Sequence, residues 1–484
     1  MSDENTGTEP YSAAFAPLIR QKLLWHWAKH QVVVAAICFS IIVFGITLVH
    51  VSLFAPVNMA CFAVLCVDLP IVKRMSLWQL AALQAGFLLR KATGASRATI
   101  SPITAGDTVA LVDVPGPEGK IIKPYELVNS GEMNGSCWIW DAESCEATSI
   151  IRFRSAGSEL AKNTEKNSHA DSFSKALHSL VDHPDVQRVT FQARSLVRPT
   201  DVTAQETGGS EAQRDVRALE TGSLRTAMYH DYTVTITISP VMRMGRRPSV
   251  QDTGDALLEA TNRFIDMLSP IVGPTGPFRW LDAQQVRGDM KCLTDPDAYT
   301  LLDDDGRLDD DQPVWTSYEE FPDYIRVGST YARTYWIDRW PEADSPVIAD
   351  WLIQLDSSPD TRMIFTQAFH ARSQKEANNA LEMASTETGT MDRLNQLLKR
   401  QPDTQTLDEA RLMERRKQEN TKEHGDVEFQ GFVTVLAESL EDLDRAGHDL
   451  IARTSGYAMH LDKQVDQQLA RWVGALPLGM EGRR

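Results

Sequence analysis

The chain has 484 residues, 42% hydrophobic and 24% charged, with 28 glycines and 23 prolines, which is ordinary globular usage and excludes a collagenous or low-complexity chain. Lys and Arg number 49 against 66 Asp and Glu, a formal charge of -17, so the surface as a whole repels phosphate backbones and general nucleic-acid binding is disfavoured. Six cysteines are too sparse for a disulfide scaffold; Cys38, Cys61 and Cys66 sit in apolar runs, and the spacings of Cys137, Cys145 and Cys292 contain no pair of the zinc-ligand kind.

In chain order, an N-terminal segment over 1–31, expected to be cytoplasmic, precedes the apolar run Val32 to Phe54, which carries no Lys, Arg, Asp or Glu. At about 1.5 Å per helical residue this run is long enough for the ~30 Å hydrocarbon core of a bilayer. A second apolar run, Val57 to Val72, is interrupted by Asn58, Asp68 and Pro70. Together they predict a transmembrane helical hairpin over 32–72, with Cys38, Cys61 and Cys66 acting as small hydrophobes inside it. Arg20, Lys22 and Lys29 precede the pair, Lys73, Arg74, Arg90, Lys91 and Arg97 follow it, and the connection carries neither Lys nor Arg. That asymmetry predicts a multi-pass protein of the inner (plasma) membrane with both termini cytoplasmic, and Trp25, Trp27 and Trp78 as interfacial anchors.

Residues 73–105 read as a membrane-proximal helix, Met75 to Leu89, and a linker. From Thr108 the pattern changes to short strands between turn signals: Thr108 to Val114, Cys137 to Asp141, Thr148 to Arg154 and Gln187 to Arg194. Phe173, Leu177, Leu180 and Val181 place a helix between the last two, and Thr200 to Gly222 reads as a polar excursion. Asp231 to Ser239 is the clearest strand, since Tyr232, Val234, Ile236 and Ile238 alternate with Thr233, Thr235 and Thr237. A helix follows with Leu257, Leu258, Phe264, Ile265 and Leu268 on one side. Asp323 to Trp340 predicts a strand or hairpin stopped by Pro341, and Met363 to His370 and Glu428 to Leu436 predict two more strands. Helices are expected at Gln374 to Arg400, Thr406 to Glu419, Leu440 to Ala452 and Leu461 to Val473. The fold class expected is α+β, a cytoplasmic body of open mixed sheets packed with helices, divided into modules 106–322 and 323–484.

The short chemical signatures fail. Gly119-Lys120 is followed by Ile121 and lacks the upstream glycine of a phosphate-binding loop, and G-x-S-x-G, H-E-x-x-H and C-x-x-C do not occur. The acidic run from Asp303 to Asp311, aligned on Gly306 as a calcium loop, puts Leu301 first and Gln312 twelfth, so it reads as a solvated loop. His448 and His460 have no carboxylate or cysteine partner at readable spacing, and the aromatic cluster Tyr324 to Trp340 reads as core or subunit interface rather than a base-stacking platform. No catalytic residue, cofactor or metal is expected from these patterns.

Three segments carry a resemblance: Trp336-Ile337-Asp338-Arg339-Trp340-Pro341, the strand-to-helix passage Val433 to Leu443, and Trp472-Val473-Gly474-Ala475-Leu476-Pro477-Leu478-Gly479. Each is similar to an element of the N-terminal, non-ATPase domain of the conjugation (type IV secretion) ATPases. The last resembles the Leu-Pro-Leu-Gly element at which that domain meets its motor. The whole layout resembles an actinobacterial family of membrane-anchored, ATPase-less relatives. The resemblance implies a non-catalytic inner-membrane component of a type IV-like secretion or conjugative DNA-transfer apparatus. Its implied partners are a separately encoded cytoplasmic P-loop ATPase, other membrane components of the machine and further copies of the chain, without direct nucleic-acid binding. Trp336, Trp340, Leu476, Pro477, Leu478 and Gly479 are then the partner-interface candidates. Pro477 and Gly479 also fit a simple helix stop. A membrane component of a type VII secretion core, or an enzyme with a site in the Cys137 to Arg154 sheet, are the alternatives.

Overall fold

The structure, a computed structural model, describes chiefly residues 29–47, 55–99, 135–153, 172–197, 228–241, 249–272, 278–341, 361–371 and 427–480, with isolated gaps inside them, and short segments at 12–13, 112–113, 121–126 and 347–348. The expected polar excursion Thr200 to Gly222, the helices Gln374 to Arg400 and Thr406 to Glu419, and Arg20, Lys22, Trp25, Trp27, Lys73 and Arg74 lie outside the described residues. The chain divides into two compact units. One comprises 18–89 and 372–426, and the other 1–17, 90–371 and 427–484.

In the first unit, α1 (Lys29–Thr47) and α2 (Pro56–Asp68) coincide with the two apolar runs. Asn58 is buried, and a Cβ on Gly45 would come within 3.5 Å of its side-chain oxygen. α1 has 19 residues and begins with Lys29, His30 and Gln31, and α2 has 13. At about 1.5 Å per residue their apolar lengths are roughly 24 Å and 20 Å, short of a ~30 Å hydrocarbon core. No helix among the described residues is long and apolar enough to cross a membrane. The transmembrane hairpin expected over 32–72 is therefore corrected to two shorter apolar helices. The multi-pass inner-membrane location that depended on it is overturned by the same finding. An uncharged run in a sequence sets an upper limit on an apolar helix, not its length.

α3 (Leu77–Thr93) begins with a reciprocal cap: Ser76 N donates to Gln79 Oε1, and Gln79 N donates to Ser76 Oγ. Its last turn, from Arg90, belongs to the second unit.

The second unit is built on one antiparallel sheet rather than open mixed sheets. Its strands are β1 (Arg97–Thr99), β2 (Val112–Asp113), β3 (Ile121–Glu126), β4 (Cys137–Asp141), β5 (Glu146–Phe153), β6 (Val186–Val197) and β7 (Met228–Ile238). They continue with β8 (Arg279–Trp280), β9 (Ser317–Glu320), β10 (Ile325–Val327), β11 (Thr330–Arg339), β12 (Arg362–Ala371), β13 (Val427–Ala437) and β14 (His460–Lys463). Across the sheet the order is β1-β9-β10-β11-β13-β12-β6-β7-β5-β4-β3-β2, with β8 added to β5 and β14 to β11.

Strand alternation sorts side chains onto two faces. One face carries Val189, Val234, Ile236 and Ile238, buried beneath α4 (Val250–Val272) through Leu257, Ala260 and Phe264. α6 (Leu440–Gly456) packs on the same face farther along, its Gly447 lying against Tyr335 and Arg333. The opposite face carries Thr148, Arg188, Thr190, Gln192, Arg194, Thr233, Thr235 and Thr237, nearly all buried. It is covered by α5 (Ala283–Thr294), α7 (Gln468–Val473) and the C-terminal strap Gly474 to Met480. α5 starts in a capping box between Asp282 and Gln285. Arg90 fastens the last turn of α3 to the sheet, with Nε and Nη2 each 3.1 Å from the Glu320 carboxylate and Nη2 donating to Asp466 O.

The strap requires glycine at its end. Gly479 has φ +63°, and a Cβ there would lie 2.8 Å from Thr235 Oγ1 and 2.9 Å from Thr148 Cγ2. Gly479→Ala therefore combines a left-handed backbone with a clash against β-branched neighbours, and should destabilise the fold by about 2 kcal/mol. Urea denaturation of the full chain measures this; an unchanged midpoint would show that the strap does not lie on these threonines.

Candidate functional site

The densest polar cluster lies inside the sheet unit. Arg194 on β6 is fully buried, donating from Nε and Nη2 to the two oxygens of Asp231 on β7, each at 2.7 Å, and from Nη1 to Asp289 Oδ2 on α5 at 2.9 Å. Arg152 on β5 also pairs with Asp289, and its Nε lies 3.4 Å from Asp231 Oδ2. Two guanidinium groups and two carboxylates thus balance without net charge. Burial alone would lower the Arg194 pKa, but the Asp231 and Asp289 carboxylates hold it above its ordinary value. The residues tie three neighbouring strands to the helix above them, and every charge is spent on another.

The interface candidates from the sequence fall in two places. Trp340 is buried, its ring edge-on to Phe365 at 6.3 Å and to Phe429 at 5.2 Å, in space left by Gly431. Trp336 is half-buried on β11, opposite Phe432 of β13, whose ring carries the Arg471 guanidinium at 5.4 Å. Leu476, Pro477, Leu478 and Gly479 are buried in the strap. Leu476 and Leu478 join the core with Trp472, itself 5.4 Å from Trp315. The strap's backbone oxygens are taken up by the sheet: Gln192 Nε2 donates to Gly474 O at 3.3 Å and Leu476 O at 3.1 Å, and Arg188 Nε to Gly479 O at 2.6 Å. The six candidates therefore pack inward over most of their surface.

Outward-facing apolar side chains lie elsewhere. Ile37, Phe39, Phe44, Met59 and Phe62 are exposed on α1 and α2, and Leu440 and Ile451 on α6. Exposed apolar side chains are where contact sites are sought.

No protein-family model matches the sequence, and no curated protein matches it.

The chemistry of an enzyme is thin on the described residues. Ser195 Oγ lies 3.0 Å from His230 Nδ1, a pair the sequence did not single out, and Ser195 is fully buried. Cys137, in the sheet segment weighed for an active site, has its thiol pushed up to about 12 by burial and by Asp282, which leaves it protonated and inert near neutrality. A cavity of about 10 Å³ lined by Leu180, His183, Ile236, Arg263 and Met267 has room for roughly one water. Among the described residues no three His, Cys, Asp or Glu side chains group as metal ligands. The acidic loop is tied up internally, Asp303 Oδ1 accepting from Asp305 N and Arg307 N, and Arg307 Nε donating to Asp282.

Arg194→Met would leave Asp231 and Asp289 facing Arg152 alone inside the sheet, and removing one partner of a buried network of this kind costs about 3–5 kcal/mol. Chemical denaturation should show a loss of that size, and a loss within the range of ordinary surface substitutions would mean that water reaches the cluster.

Proposed function

We propose that the chain is a non-catalytic docking component of a type IV-like secretion or conjugation machine, and that its partner is a separately encoded P-loop ATPase. The observation that carries this reading is spatial. The three segments that resemble the conjugation ATPases' non-motor domain, far apart in sequence, all belong to the sheet unit: two are adjacent on β11, β13 and α6, and the third runs from α7 across the opposite face to Thr148 and Thr235. Trp336 to Pro341 ends β11, Val433 to Leu443 runs from β13 into α6, and Trp472 to Gly479 forms the end of α7 and the strap. β11 and β13 are neighbours over six residue pairs, α6 packs on them, and Gln468 of α7 bonds both backbone groups of Thr334 on β11. The segments thus belong to one folded unit.

The distribution of polar groups supports docking over catalysis. Ionisable side chains are committed to holding elements together, as in the Arg194 cluster, the Arg90–Glu320 pair, and Arg333, which reaches both Asp323 and Asp444. Since the strap is internal, the surface offered to the ATPase is the outer side of the same body, where Leu440 and Ile451 are 40% and 42% exposed on α6.

Affinity purification of the tagged full chain from its native cells, followed by mass spectrometry against an untagged control, tests the proposal. A P-loop ATPase of the secretion type should be retained, and the exposed pair Leu440→Ser and Ile451→Ser should reduce its recovery while leaving thermal stability within ordinary surface-substitution scatter. Recovery of the bait without any such ATPase, under conditions that keep known secretion complexes intact, would overturn the docking role.

A further inference from the structure

The strand order of the sheet is symmetrical about its centre. Five strands lie on each side of the β6–β12 pair, and each side carries one short extra strand, β8 on β5 and β14 on β11. The chain passes through the two sides in the same sequence. A hairpin (β4–β5 or β10–β11) is followed by two long antiparallel strands (β6–β7 or β12–β13), a helix (α4 or α6), the short strand, and a second helix (α5 or α7).

The register agrees residue by residue. Val234 of β7 stands opposite Phe191 of β6, and Val433 of β13 stands opposite Phe365 of β12. Thr235 and Thr434 follow these valines. Trp280 of β8 pairs with Ile151, the other neighbour of that row being Val234, and Lys463 of β14 pairs with Tyr335, the neighbour of Val433. Arg188 near the start of β6 reaches Glu146, the first residue of β5, and Arg362 at the start of β12 donates to Thr330, the first residue of β11.

The helices repeat as well. Ser249 and Ser439 cap α4 and α6, each accepting at 3.1 Å from the backbone N–H of an aspartate three residues on, Asp252 and Asp442. Counted from these serines, the same positions are buried: Thr253, Leu257, Ala260 and Phe264 in α4, and Leu443, Gly447, Leu450 and Thr454 in α6. The second helices open with Gln284-Gln285-Val286 and Gln467-Gln468-Leu469, and Gln285, Gln468, Val286 and Leu469 are all buried. α4 and α6 cover one face, α5 and α7 the other. An antiparallel pair of like modules related by a two-fold axis perpendicular to the sheet has this arrangement, and a chance succession of hairpins does not demand it.

We infer that the sheet unit is one module present twice, Cys137 to Thr294 and Ile325 to Leu476, fused into a pseudo-dimer. The β6–β12 ladder is its subunit-like interface, and the occupant of each module's inner edge is a second copy of the same module. Symmetric oligomers commonly meet through such isologous contacts, in which one surface faces its own copy. Here residues 295–324 connect the two copies.

A two-fold relation makes a definite demand on distances. Asp252 and Glu259 on α4 correspond to Asp442 and Asp449 on α6, and all four are exposed. The distance from Asp252 to Asp449 must then equal the distance from Glu259 to Asp442. Spin labels attached to the full chain through a non-natural ketone side chain, which leaves the native cysteines in place, allow both to be read by pulsed electron paramagnetic resonance. The inference expects coincident maxima, with no shift beyond the width of either distribution. Clearly separated maxima in the folded labelled proteins would overturn it.

Discussion

The ladder between β6 and β12 is the constraint on which the second unit depends. Seven residue pairs, from Met363 opposite Ser195 to Phe369 opposite Val189, join strands that are far apart in the chain, and all further strands on either side build outward from them. Each ladder hydrogen bond nets only about 0.5–1.5 kcal/mol, so the seam owes its place to what it carries on both faces. On one face Phe191 stands edge-on to Phe369 at 5.8 Å, and Phe173 meets both rings. On the other, Gln192 lies between Thr366 and the strap.

The polar face explains the position of the second layer. Arg194 cannot be buried alone, and β7 supplies one carboxylate while α5 must supply the other; the helix is therefore fixed by charge as much as by the apolar contacts of Val286, Met290 and Leu293. The strap obeys the same rule, since its backbone oxygens enter a buried setting only where Gln192 and Arg188 meet them. Cys292, Met290 and Leu293 then complete a core shared with Trp315, Trp472 and Leu476.

What the sequence revealed follows from which interactions are local. The strand at Asp231 to Ser239 was legible because β-branched residues alternate along it, and the helix at Leu257 to Leu268 because its apolar residues recur at helical spacing. α5 was not foreseen: Ala283–Thr294 holds Gln285, Arg287, Asp289 and Lys291, all buried, and the partners of Arg287 and Asp289 lie on other elements or in a distant loop. Leu461 to Val473 was read as one helix but divides into β14, a turn with Asp466 at φ +62°, and α7; the strand forms only because β11 offers it an edge. Hydropathy registers apolar runs and not helix lengths, and among the described residues α1 and α2 are shorter than those runs. The Leu-Pro-Leu-Gly segment looked like an outward contact, yet its surroundings are a threonine-lined sheet that no local pattern near residue 476 announces.

The proposed docking role rests on three distant segments belonging to one unit, and that unit is held together by the continuous sheet. Hydrogen exchange of the full chain, followed by mass spectrometry, therefore tests the account most directly. Peptides from β6 and β12 should be the slowest to exchange and should open together, with one free energy, because neither strand can leave without breaking the central ladder. If β12 exchanged early with outer strands such as β9 or β10 while β6 stayed protected, the two halves would not be joined at this seam and the account would fail.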